Sequence, residues 1–484
     1  MTTTALPPTS QILDDLALVL FGEGSVRSRV TTIGADPICP SPHRLADTSA
    51  AAMGAFALQV AGVDEDRGAA PQQITITATD ALDQLRAALL AQINGVGPHL
   101  LSDDPTLLGL NDFYPTRDGW IFLLSTYPHL RAAVCTVLDC PPTASAMRVA
   151  SQRWTGHELQ ERVVAAGGVA VVAHTASEWE QHPVARYLAD RPVVEVERIG
   201  DGPLRPLPPL IESTTDPNGW RPLAGINMVD NTHVIAGPVA ARLMSTFGAD
   251  VVHTSRPDRP DPIGMLAVTG GGKRNAYADL RYPAGRAVFA NLLASADVVL
   301  NSYRNVARFG LGAEQLAERH PGIVSADVHC WGIDGPWGDR GGFDQLACAA
   351  TGFALDEGAV RGLPSGQPAL PPTHLLNDYL AAYLVAAGAV AALRRRAVEG
   401  GSWRVRVNLA RVCMWVRSYG LFAPDHVAGI EMPEPHIPCY TVVGPLGTLT
   451  EPGIPVTFSG RATPTPAAPT LLGTAQATFA DITA

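Results

Sequence analysis

Between Ile226 and Trp331 short apolar runs alternate with helical stretches, and this alternation restricts the possible folds more than any other feature of the chain. Ile226-Asn-Met-Val-Asp reads as a strand, 237–247 as a helix and Asp250-Val-Val-His-Thr as the next strand. Residues 275–280 read as a strand, and Pro283 opens a helix to Ala294 at the position where a missing N–H costs nothing. A strand at 297–303, a helix at 313–320 and a strand at 322–331 complete the series. Strands separated by helices are joined by crossovers and run parallel, which predicts an α/β fold built on a Rossmann-like doubly wound sheet. Ligands of such sheets sit at the carboxyl ends of the strands.

Upstream the pattern differs. Residues 1–200 read as a smaller α+β domain placed N-terminal to the sheet, with helices at 11–21, 46–60 and 81–92 forming its helical first part. Residues 199–221 carry five prolines and no sustained apolar period, which marks a linker. The large domain then spans 222–420, and a Pro/Gly-rich tail with little helix signal spans 421–484. No solenoid-type repeat is visible.

Of the 484 residues 46% are hydrophobic and 17% charged, which excludes extensive disorder. A net charge of −11 argues against nucleic acid and anionic membranes as partners. The apolar run 379–393 is shorter than the roughly 20 residues of a membrane span and follows Asp378, so it reads as a buried helix. The first residues show no basic region followed by an apolar stretch, and the seven cysteines form no C-x-x-C pair. Reduced thiols and a cytoplasmic protein without a membrane anchor are expected.

Three places carry candidate chemistry. The turn Asn231-Thr-His-Val-Ile-Ala-Gly-Pro leads from strand to helix, where free N–H groups favour a phosphate; the G-x-G-x-x-G fingerprint of dinucleotide domains is absent. Residues 251–310 hold eight basic side chains (Arg256, Arg259, Lys273, Arg274, Arg281, Arg286, Arg304, Arg308) against four acidic ones, a local excess that suits a polyphosphate or a set of solvated loop charges. Gly270-Gly-Gly-Lys-Arg fails the nucleotide-loop pattern at Ala267 and Arg274, and its Lys273 is the only lysine in the chain. Asp378, at the start of the long helix, is either a helix cap or a carboxylate nucleophile kept ionised by the helix N-terminus. Patterns for a metal centre or a serine hydrolase are missing, and His374 has no evident role.

From Pro222 onward the chain resembles the family III CoA-transferases, the group of formyl-CoA transferase, carnitine CoA-transferase and 2-methylacyl-CoA racemase. The resemblance rests on PLAGINMVDNTHVIAGPVAARLMSTFGADVVHTSRP (222–257), GKRNAYADLRYPAGR (272–286), ADVVLNSYRNVARFGLG (296–312) and HCWGIDGPWGDRGGFDQLACAATG (329–352). It continues in NDYLAAYLVAAGAVAAL (377–393) and GGSWRVRVNLA (400–410). It implies that Asp378 is the catalytic aspartate, ten residues before Gly388. It implies CoA contacts at Val234, Ile235, Ala236, Arg256, Arg281, Tyr303 and Arg308, with weaker matches at Ala278 and Ser302.

The implied activity is transfer of CoA from an acyl-CoA to a carboxylic acid, with coenzyme A as part of the substrate and no permanently bound cofactor. An acyl-CoA racemase or isomerase and a non-catalytic CoA-binding protein are the alternatives. Phe343 stands where the racemases place a histidine base, which counts against proton exchange at Cα. The loop after Tyr303 is two residues short of the usual turn, and only Asn94-Gly-Val-Gly offers a counterpart to the family's glycine-rich loop. Residues 110–197 resemble the family's small domain moved upstream, and the family's assembly implies a homodimer.

Overall fold

The computed structural model describes residues 9–22, 27–98, 109–209, 219–364 and 366–480; residues 210–218 of the expected linker lie outside the described residues. The first stretch packs helix Thr9–Phe21 on helix Leu45–Glu65. The latter crosses between two parallel strands, β1 (Val30–Ile33) and β2 (Ile74–Thr77). Its alanine-rich sequence is buried on every side, as expected of a helix with no polar face. Helix Ala78–Leu85 and the short β3 (Gln92–Ile93) follow.

An antiparallel sheet comes next, ordered β4 (Asp112–Pro115), β5 (Trp120–Leu124), β6 (Val169–Val172). Helices Pro128–Leu138, Ala144–Ser151 and Gly156–Ala165 cover it around Tyr114, Ile121, Leu123, Val134 and Leu159. Thr143 and Thr155 cap two of these helices by accepting backbone N–H groups, which satisfies donors that helix ends leave free.

The main sheet has seven strands. β7 (Val194–Gly200) is its antiparallel edge, paired with β13. The parallel strands are β8 (Asn227–Asn231), β9 (Asp250–Ser255), β10 (Arg274–Tyr277), β11 (Val298–Asn301), β12 (Val324–His329) and β13 (Ser402–Asn408). The order is β10-β9-β8-β11-β12-β13-β7. The chain therefore winds outward in both directions from β8, and a crevice opens between the carboxyl ends of β8 and β11. Residues 194–200 fall within the expected upstream domain, but their alternating valines pack into this sheet, so the sheet's boundary precedes the proline-rich stretch.

Helix Asn377–Glu399 lies between β13 and helix Leu45–Glu65 and is buried over nearly its whole length. Gly388 permits this approach, since a Cβ there would sit 2.6 Å from Val405 Cγ1. Among the described residues no helix is long and apolar enough to cross a membrane. The tail is pinned to the N-terminal stretch. β14 (Cys439–Gly444) and β15 (Gly447–Pro452) form a hairpin that adds to β3, and β16 (Thr457–Phe458) adds to β2. A buried pair, Arg242 with Glu451 at 2.9 Å, ties the hairpin to the large sheet's first helix.

Candidate active site

The crevice opens into a cavity of about 790 Å³. On one side lies the turn after β8. Val234 adopts φ +70°, which is uncommon for a β-branched residue and marks local strain. Gly237 is needed beneath it, because a Cβ would fall 2.5 Å from the Thr232 side chain. The turn rests on a buried charge cluster. Asp230 Oδ2 accepts from Lys273 Nζ at 2.8 Å and faces His253 Nδ1 at 3.1 Å, while Thr232 donates to its other oxygen. Burial alone would raise the Asp230 carboxyl, but Lys273 and His253 outweigh it and hold it far below the carboxylate range. The sole lysine therefore points away from the cavity, 2% exposed, and fixes the turn from behind.

Across the crevice Ser302 Oγ accepts the His233 N–H at 3.2 Å, and the rings of His233 and Tyr303 stack at 4.6 Å. Arg256, Tyr303, Arg304 and Arg308 line both this cavity and a neighbouring one of about 110 Å³, where Ala278 and Arg281 join them. Val234, Ile235, Ala236, Ser302 and Asp378 line the larger cavity. The structure thus brings Asp378 and every CoA contact implied by the resemblance to one of two cavities that share four residues, while Lys273, Arg274 and Arg286 of the basic set line neither. The arginines are engaged at present: Arg256 donates twice to Asp258, at 3.1 and 2.7 Å, and Arg281 reaches Asp258 at 3.0 Å and Asp279 at 2.6 Å. The hydrogen bond from Arg256 and that from Arg281 hold the Asp258 carboxyl at about 2.

At the other end is Asp378. The capping reading is corrected: the helix begins at Asn377, Leu376 occupies the cap position without a side-chain bond, and Asp378 is already the helix's second residue. The N–H groups at the start of the helix meet a second carboxylate instead, for Asp344 Oδ2 accepts those of Leu376 and Asp378, each at 2.9 Å. The expectation of a permanently ionised Asp378 is corrected too. Burial, and then the charge of Asp344, push its carboxyl well above the ordinary range. Asp344 is itself raised by burial, against the pull of those backbone donors. Asn377 locks the pair from below, donating to the Asp344 carbonyl at 3.2 Å and accepting from Cys413 Sγ at 3.1 Å.

The upstream α+β unit forms part of the wall through Tyr127, Leu130 and Val169, facing Trp331, Trp337 and Phe343 of the loop after β12. Asp261 joins the two sides: one oxygen accepts the Val234 N–H at 2.9 Å and the other the Tyr127 hydroxyl at 3.0 Å. Arg340 clasps Glu161 with bonds of 2.8 and 2.9 Å, a second tie between that unit and the loop. Asn94 accepts from Thr448 N in the tail hairpin and lines neither cavity, nor does His374, so the glycine-rich counterpart is corrected to a structural turn. Among the described residues no group of His, Cys, Asp and Glu could hold a metal ion.

Sequence reasoning missed Asp344, Asp261 and Tyr127. Asp344 was within reach, since it follows Phe343 in a motif already singled out. Asp261 counted only as one of four acids, and Tyr127 carries no local signal because its role depends on two distant loops.

A model of CoA-transferase family III matches residues 23–218 and 223–443, and the chain belongs to that family. An acyl-CoA transferase of Gibberella moniliformis is 31% identical over 271 residues, which cover 53% of this chain and 46% of that protein. An acetyl-coenzyme A transferase of Hypoxylon pulicicidum is 34% identical over 209 residues, 42% of this chain and 35% of that one. The β subunit of a succinyl-CoA–L-malate CoA-transferase of Chloroflexus aurantiacus is 33% identical over 193 residues, 37% of this chain and 47% of its own. The chain thus spans half or less of the length of these curated relatives. A crystal structure from Mycobacterium tuberculosis matches with 28% identity and a TM-score of 0.38, covering 41% of this chain and 56% of the other.

Proposed function

We propose that the protein transfers coenzyme A from an acyl-CoA to a carboxylic acid through covalent chemistry on Asp378. The observation that carries this reading is the larger cavity, with Arg256 and Arg308 at one end and the Asp378 carboxylate, free of side-chain hydrogen-bond partners among the described residues, at the other. Phosphates of CoA bind at Arg256, Arg281 and Arg308, where a polyphosphate exchanges for the exposed aspartates now paired there. The thioester then reaches Asp378 past the turn 234–236.

A carboxylate oxygen of Asp378 attacks the thioester carbon, the C–S bond breaks and the CoA thiolate leaves with the electron pair. The thiolate then attacks the Asp378 side-chain carbon of this mixed anhydride and releases the donor acid. An acceptor carboxylate attacks the resulting aspartyl thioester and expels the thiolate again. Attack of the thiolate on the acceptor's carbonyl carbon yields the new acyl-CoA and frees Asp378. Each intermediate stays activated, which suits a carboxylate nucleophile. The raised carboxyl is consistent with this role, since an anion poorly solvated in the empty site is more reactive once formed.

Turnover of an acyl-CoA with a panel of carboxylates, wild type against Asp378→Asn, tests the reading. Transfer that survives the substitution would remove Asp378 from the mechanism. Deuterium exchange at Cα without transfer would favour the racemase reading, against which Phe343 stands in the cavity wall. The homodimer belongs to the same proposal, and a mass near that of one chain by light scattering, with full activity, would exclude it.

A further inference from the structure

The unit that carries Asp378 has a counterpart at the other end of the chain. In the first, β12 and β13 are parallel neighbours, the helix Asn377–Glu399 runs between them, and helix Leu409–Ser418 follows β13. In the second, β1 and β2 are parallel neighbours, the helix Leu45–Glu65 runs between them, and helix Ala78–Leu85 follows β2. Each long helix is small-residue rich and buried all round, and the two pack against each other.

The correspondence extends to single residues. Leu45-Ala46-Asp47 stands at the start of one helix as Leu376-Asn377-Asp378 stands at the start of the other, one position apart in register, and a histidine, His43 or His374, lies four positions before each aspartate. The most specific match is a second carboxylate from upstream. Asp36 Oδ2 accepts the Asp47 N–H at 2.8 Å, as Asp344 Oδ2 accepts the Asp378 N–H at 2.9 Å. Among the described residues, an upstream aspartate thus accepts the backbone N–H of an aspartate at the start of a buried helix in both units. Each of the two stretches matched by the family model holds one of these units.

We infer that residues 30–85 are a second, catalytically silent copy of the aspartate-bearing unit, retained to brace the reactive helix. Two differences explain the silence. In the reactive unit Asp344 lies fifteen positions beyond the end of β12, and the intervening loop supplies Trp331, Trp337 and Phe343 to the cavity wall. In the copy Asp36 lies three positions beyond β1, so no such wall exists, and Asp47 borders neither cavity. The Asp47 carboxylate is also fully committed: Thr9 Oγ1 donates to one oxygen at 2.6 Å and Arg44 Nη1 to the other at 2.5 Å, and the residue is 0% exposed. A carboxylate clamped by an arginine and shielded from solvent cannot approach a thioester. Its bonds instead fasten the first helix and the turn at Asp36 onto the helix that supports Asn377–Glu399.

The test uses the whole chain incubated with an acyl-CoA and hydroxylamine, which converts an activated aspartyl group to a hydroxamate that peptide mass analysis locates. The inference predicts no hydroxamate on the Asp47 peptide, and a modified Asp47 overturns it. Labelling at Asp378 is a separate readout that bears on the proposed function and not on the copy. The variant Asp47→Asn, which loses the Arg44 pair, is expected to lower the melting midpoint by several degrees while kcat/KM stays within about twofold for the folded protein. Unchanged stability with activity reduced a hundredfold or more would show Asp47 in the chemistry and overturn the inference as well. Thr9→Val, which removes one bond at the clamp without altering charge, should show a smaller loss of stability in the same direction.

Discussion

At one end of the two adjoining cavities Arg256 and Arg281 keep 30% and 44% of their side chains in water and share the exposed Asp258 as a partner. At the other end Asp378 and Asp344 are 7% and 0% exposed and face each other with no cation between them. The first arrangement is easily exchanged, because solvated ion pairs contribute little and are screened by salt. The second lies where water is nearly excluded, and burial there disfavours the charged form of both carboxyls. The two ends thus differ physically: exposed, replaceable pairs suit the proposed phosphate ligand, and a buried carboxyl raised by its surroundings suits the proposed covalent chemistry.

The largest effect is expected at the buried end. Asp378→Asn should lower transfer by roughly 10⁴-fold or more, since an amide cannot form the anhydride. Loss below tenfold in a steady-state assay would erase the distinction between the two ends. Asp344→Ala leaves the Leu376 and Asp378 N–H groups buried without an acceptor, at a cost of about 1–3 kcal/mol each, readable as a lower denaturation midpoint. Asp344→Asn keeps an acceptor and removes the charge. Asp378 should then titrate lower, moving the acid limb of the kcat/KM profile to lower pH. A limb that stays in place would separate Asp344 from the electrostatics of the site.

At the exposed end, Arg308→Ala or Arg256→Ala should weaken CoA by about 10–100-fold, the range of one charge-assisted phosphate contact of about 1.5–3 kcal/mol, and leave pantetheine analogues unaffected. Equal losses for both ligands by calorimetry would move the phosphates elsewhere. Asp258→Asn frees Arg256, leaves Arg281 with Asp279 alone and removes a repelling charge, so CoA affinity should rise a few-fold, an effect that fades at high salt.

A pH dependence extends the contrast to the silent copy. Burial, then Asp47, raises Asp36 to about 7. A carboxyl raised on folding stabilises fully below its unfolded value near 3.9 and loses that contribution as pH climbs through about 7. The melting midpoint of Asp36→Asn relative to wild type should therefore improve between pH 5 and pH 8. A constant difference would mean that Asp36 does not titrate there.

Much of the fold was legible because periodicity records it: the strands and helices from Ile226 to Trp331 fall within a few residues of their predicted places. The turn at 234–236 and the arginines that line the cavities were legible for a related reason, since strand ends converge in a parallel sheet. The state of Asp378 was not legible. The helix starts two residues earlier than a cap at Asp378 would require, and the carboxylate whose charge adds to burial in raising it lies 34 residues upstream. The copy at residues 30–85 escaped notice because its strands are four residues long and its loop after β1 is contracted, so the similarity survives in bonding more than in sequence.

The central claim is that Asp378 carries the acyl group, and oxygen transfer tests it most directly. In the proposed sequence an acceptor acid labelled in its carboxylate with oxygen-18 attacks the aspartyl thioester, and one of its oxygens stays on Asp378 when the thiolate leaves with the acceptor's acyl group. After a single turnover with labelled acceptor, the peptide holding Asp378 should be heavier by one oxygen-18, with the second oxygen exchanging on repeated turnover, and the Asp47 peptide should be unchanged. Full turnover with no label on the Asp378 peptide would contradict the account.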